Sequence, residues 1–64
     1  MSLIKKKLKE LGKNQAWLAR EAGVSKSVVS RAANGSGLRI DSLCFIASAL
    51  NLPVESLAKN LGML

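Results

Sequence analysis

Apolar residues recur at helical spacing along the whole chain, and no stretch alternates as a half-buried strand would. Ile4, Leu8 and Leu11 fall at i, i+4 and i+7, with Leu3 beside them. That stripe predicts a helix over about Leu3–Leu11, capped by Ser2 and ended by Gly12. Leu18, Ala19 and Ala22 share one face of a second helix, about Gln15–Ala22, with Asn14 as its N-cap and Gly23 as its stop. Val24 is an apolar residue in the turn that follows and is expected to point inward. Ser25 caps a third helix running to about Asn34, where Val29 and Ala32 face the core with Val28 beside them, and Gly35 stops it. Ile40, Leu43, Ile46, Ala47 and Leu50 predict a fourth helix to about Leu50, with Asp41 in the first turn, where a negative charge suits the helix dipole. Pro53 is expected to open, as an N1-type residue, a fifth helix over about Val54–Asn60, which buries Leu57, with Leu61 a further candidate. The expected architecture is all-α: one compact five-helix domain over residues 1–64. Helices 2 and 3 are too short to stand alone in water, so helices 1, 4 and 5 must supply a common core.

Composition narrows how that core is held. A chain of 64 residues buries only a marginal core. Cys44 is the one cysteine and histidine is absent, so neither an internal disulfide nor a structural zinc site is available. Packing alone must hold the fold, and reducing cytoplasm is the expected setting. The start, MSLIKKKLKELGK, has no long apolar run after its lysines and is expected to be neither a signal peptide nor a membrane span.

Charge then separates two regions. The net charge is +6, but residues 1–39 hold nine bases against Glu10 and Glu21, a balance of +7. From Ile40 onward Lys59 stands against Asp41 and Glu55, a balance of −1. A basic first two-thirds points to a polyanion, and a near-neutral remainder points to packing or self-association. The plainer reading of the lysines in helix 1 is that they solubilise it, and for the run Lys5–Lys9 the two readings weigh equally.

Catalytic chemistry finds no foothold. Serines are plentiful but have no histidine base, and the four carboxylates show no metal-ligand spacing. Gly35-Ser36-Gly37 is too short to cradle a phosphate as a P-loop does. Cys44 lies next to the helix-4 stripe and is expected to be a small buried hydrophobe. No enzyme activity, cofactor, metal or small-molecule substrate is therefore expected. Helix 1 is too short to bind a lipid surface and needs its apolar face for the core. A single-strand binder would need an aromatic platform, and Trp17 and Phe45 are the only aromatics.

The run LGKNQAWLAREAGVSKSVVSRAANG, followed by LRIDSLCFIASALNLPVESL, resembles the lambda-repressor-like helix-turn-helix family, the DNA-binding domains of phage Cro proteins and repressors. The likeness spans about Leu8 to Leu57. Gln15 opens helix 2, Ala19 is the small packing residue, Gly23 makes the turn, and Val29 is the buried β-branched residue of helix 3. The resemblance implies a transcriptional regulator that binds a double-stranded DNA operator with helix 3 in the major groove. It implies base reading by Lys26, Ser27, Ser30 and Arg31, with Arg31 able to be bidentate to guanine. It also implies backbone contacts from Asn14, Gln15, Asn34 and Arg39. An antitoxin-type regulator, or a protein-interaction module, would share the fold.

Some positions depart from the family pattern. Ala32 is smaller than the usual large aliphatic, so another residue must fill that space or helix 3 must sit closer. Arg39 replaces a usual helix cap. Trp17 and Phe45 occupy slots that are usually polar, and either they wrap onto the core or one belongs to a partner surface. An operator reader is expected to pair, as a weak homodimer strengthened on DNA. The interface would come from the loop after helix 3, from helix 5 or from the tail Leu61–Leu64, and Phe45, Leu61 and Met63 are the candidate contacts.

Overall fold

The computed structural model describes residues 2–63. They form α1 (Leu3–Leu11), α2 (Gln15–Ala22), α3 (Lys26–Ala33), α4 (Ile40–Ala49) and α5 (Val54–Asn60). No strand occurs among the described residues. Two ends fall one residue short of the expected position: Asn34 caps α3 and Leu50 caps α4. Pro53 is not the first residue of α5 but its N-cap, with φ −61° and ψ 135°, because its extended ψ places it just outside the helix.

Local chemistry explains where the helices begin and end. The Ser2 hydroxyl accepts from the Lys5 N–H at 3.4 Å, the Asn14 Oδ1 from the Trp17 N–H at 2.9 Å, and the Ser25 hydroxyl from the Val28 N–H at 3.2 Å. Each satisfies one of the N–H groups that a helix start leaves without a partner. α4 and α5 have no side-chain cap bond. At the far ends one motif repeats. After α3, the Ser36 N–H donates to the Arg31 carbonyl and the Gly35 N–H to the Ala32 carbonyl, both at 3.0 Å. This is the Schellman closure, which needs a left-handed residue just past the cap. Gly35 supplies it with φ +85°. After α4 the same role falls to Asn51, with φ +56°, the one non-glycine residue with positive φ among those described.

The core is Ile4, Leu8, Leu18, Val29, Ala32, Ala33, Leu43, Ile46, Ala47, Leu50, Leu57, Ala58 and Leu61. α2 packs against both α3 and α4, α4 against α5, and α1 against α3 and α5. The Asn60 Oδ1 accepts from the Leu3 N–H at 3.1 Å and ties the two ends of the chain together. The small side chains of Ala32 and Ala33 are both buried on α3, which allows that helix a close approach to its neighbours.

Side-chain exposure corrects several expectations, and it bears on the two readings left open for Trp17 and Phe45. Leu11 is on the α1 stripe but is 43% exposed, because it ends the helix beyond the layer packed beneath. Ile40 is 68% exposed. At 100° per residue it lies about 70° round from the centre of the α4 stripe, on the first turn, where nothing covers it. Cys44 is exposed rather than buried, since it sits further round the same helix. Trp17 is half-buried against the core, with the Lys13 Nζ 5.7 Å from its ring centroid. Phe45 is 52% exposed. Of the candidate pairing residues, Leu61 is a core residue at 5% exposure and is not free to meet a partner, and Met63 is half-buried against the core. Leu64, in the tail expected to pair, lies outside the described residues.

Candidate nucleic-acid interface

The turn between α2 and α3 aims one face of α3 outward. Gly23 takes φ +72°, where a Cβ would be strained, and lets the Val24 N–H donate to the Ala19 carbonyl at 3.0 Å. Val24 is half-buried against the core and anchors the turn. Ser25 then restarts the chain as a helix. Val29, Ala32 and Ala33 point inward and Val28 is half-buried, so the remaining positions must face out.

Those positions are Lys26, Ser27, Ser30 and Arg31, and together they line one shallow, open surface. Lys26, Ser27 and Arg31 are exposed and Ser30 is half-buried. The lining holds two cationic groups and two hydroxyls and no carboxylate. Such a surface attracts phosphate at long range, and at contact it offers donors to base edges.

Two clefts adjoin α3. One, of about 320 Å³, lies between α3 and the start of α4 and is lined by Val28, Arg31, Gly37, Leu38, Arg39 and Ser42. Arg31 belongs both to this cleft and to the α3 surface, so Arg39 is brought beside the candidate readers although it sits in a later loop. Arg39 Nε lies 3.8 Å from Asp41 Oδ1, with side chains 88% and 62% exposed. An ion pair so open to water holds little energy, and the guanidinium is free to exchange it for another anion. The Asp41 carboxylate meanwhile accepts from the Ser42 N–H at 2.9 Å, so it partly replaces the missing cap of α4.

The second cleft, of about 350 Å³, is lined by Ser2, Lys5, Ala33, Asn34, Gly35 and Asn60. It places Lys5 beside Asn34. Sequence alone did not single out Lys5 or Ser42 as site residues. Neither carries a motif, and only packing brings each beside α3.

Asn14 and Gln15 sit at the start of α2 and line neither the α3 surface nor these two clefts. The Asn14 Oδ1 is engaged by the Trp17 N–H, which leaves its amide N–H groups as donors on an exposed side chain. Gln15 is half-buried. Asn34, the α3 cap, is exposed. No single helix among the described residues is long and apolar enough to cross a membrane.

Comparison with known proteins agrees with this geometry. No curated protein and no solved structure matches the chain. A family model described as helix-turn-helix matches residues 4–57, from the first core side chain of α1 to Leu57 in α5. The family is one of DNA-binding transcription regulators of the Cro and repressor type. With an all-α core that holds a turn at Gly23 and an exposed basic helix after it, this chain belongs to the lambda-repressor-like helix-turn-helix family.

Proposed function

We propose that the protein is a compact, sequence-specific regulator of the phage Cro and repressor type, binding a two-fold operator as a dimer with α3 in the major groove. The observation that carries this reading is the α3 surface, where Lys26, Ser27, Ser30 and Arg31 converge without an acid. An α-helix fits the major groove, where each base pair presents a distinct set of donors and acceptors. Arg31 reads guanine O6 and N7 through its fork of donors, Lys26 reaches the same edge as a point charge, and the two hydroxyls serve either donor or acceptor bases. Asn14, Gln15, Asn34 and Arg39 hold phosphates and set the register of α3 without reading sequence.

Pairing follows from how little one α3 can read. Four side chains on two turns of helix cover a few base pairs, and two half-sites about 34 Å apart combine their contacts. The Cα extents of one copy are 27 × 21 × 19 Å. A copy of this size is commensurate with half-sites about one DNA turn apart.

Selection of bound duplexes from a random library tests the reading. The expected result is a palindromic site with half-sites about one helical turn apart. Recovery of no enriched sequence, with binding that hardly changes with salt, would overturn it and favour a protein-interaction module on the same fold.

A further inference from the structure

We infer that the outward face of α4, built on Ile40, Cys44 and Phe45, is where two copies of this chain meet. The inference rests on the reading of the protein as a paired DNA binder and says which surface does the pairing. Ile40 and Phe45 are the two most exposed large hydrophobic residues described, at 68% and 52%. Both lie on α4, with exposed Cys44 between them around the helix. At 100° per residue, Ile40 and Phe45 bound an outward arc of about 140°, and Cys44 sits inside it with Asp41 and Ser48. Two large apolar side chains left in water on the same outward side of one helix are a feature that interaction surfaces share.

Charge identifies the occupant. The protein carries +6, and residues 1–39 account for +7 of it. Two copies repel one another through any surface built from that part. The α4 face has one charge, Asp41, and the adjacent Arg39 neutralises it at 3.8 Å. It is thus a near-neutral apolar face on a strongly basic molecule, where a second +6 chain approaches with least repulsion. An acidic partner would instead be drawn to the lysines of α1 and the bases of α3. A patch of this kind is also self-complementary, as a two-fold contact requires.

Position adds a further reason. The first turn of α4 borders the cleft that contains Arg31 and Arg39. A two-fold axis beside Ile40 therefore sets both Arg39 side chains near the middle of the bound duplex. The contact is small, so it is weak in free solution. DNA strengthens it by neutralising the basic faces and holding both copies on one site.

Cys44, the protein's one cysteine, provides the probe. Helices that pack face to face lie about 8–10 Å apart, within reach of a short bismaleimide linking Cys44 to Cys44 of a second copy. The native protein is treated with the reagent alone, with a one-half-site duplex, and with the palindromic duplex from the selection. The expected result is a covalent dimer formed mainly on the palindrome and absent in Cys44→Ser. Ile40→Glu and Phe45→Lys, both at solvent-facing positions, should abolish it. They should lower affinity for the palindrome by about tenfold or more while leaving one-half-site binding within about twofold. Far-ultraviolet circular dichroism shows whether each variant is folded, and crosslinking of the native chain decides the matter if either is not. Cooperative binding to the palindrome without a Cys44 crosslink would place pairing on another surface and overturn this inference alone. Independent, non-cooperative binding to each half-site would overturn pairing as well.

Discussion

Replacing Arg39 with serine should raise stability and weaken DNA binding in the same molecule. Arg39 stands at the N-cap of α4 and gives no side-chain cap bond, so the N–H groups of the first turn lack the partner a serine would offer. A serine hydroxyl there accepts from the second or third N–H of the helix, and such caps contribute about 0.5–2 kcal/mol over a non-capping residue. The gain falls at the low end, about 0.5–1 kcal/mol, because the Asp41 carboxylate already takes the Ser42 N–H at 2.9 Å. The ion pair that is lost, 3.8 Å long with side chains 88% and 62% exposed, offsets little of this. For a domain of this size the change raises Tm by about 2–8 °C. DNA binding moves the other way. Removing one phosphate contact should make the slope of log affinity against log salt about 0.9 shallower per subunit. Thermal denaturation followed by circular dichroism reads the first effect, and a salt titration of duplex binding reads the second. A lowered Tm would mean that Arg39 stabilises the start of α4 by more than a cap does. An unchanged salt slope would remove Arg39 from the DNA path.

Other substitutions separate reading from clamping and from folding. Arg31→Ala or Lys26→Ala should cost about 1–3 kcal/mol on the preferred site and relax preference at particular base pairs; unchanged preference in a competition assay would remove α3 as the reader. Asn14→Ala removes the 2.9 Å cap of α2, so it should cost about 1 kcal/mol of stability in denaturant titration and weaken binding to all duplexes alike. Lys5→Ala should leave base preference untouched but reduce the salt slope if the cleft it shares with Asn34 follows a phosphate, whereas an unchanged slope assigns Lys5 to solvent. Gly23→Ala meets no steric obstacle at its Cβ yet should destabilise by about 1 kcal/mol, because φ +72° strains any other residue; no loss of Tm would refute the turn geometry.

Much of this protein is local and could be read from the chain directly. Helix positions follow from apolar spacing, and their ends from Ser2, Asn14 and Ser25 at the starts and from glycines at the stops. These signals act within one turn, so no distant contact is needed to see them. The face that α3 turns outward is equally local, since Val29 and Ala32 fix which way the helix rolls. Other features depend on what lies across from a residue. Ile40, Leu11 and Cys44 sit in or beside apolar stripes, yet burial requires a neighbour on the facing element, and at those positions there is none. Leu61 has such a neighbour and joins the core. The placement of Arg39 beside Arg31, and of Lys5 beside Asn34, was likewise decided by packing between segments far apart in sequence. Sequence alone determined the helices and the face that α3 turns outward. Tertiary structure decided which charges gather around that helix and which apolar side chains stay in water, because each depends on long-range contacts that periodicity does not encode.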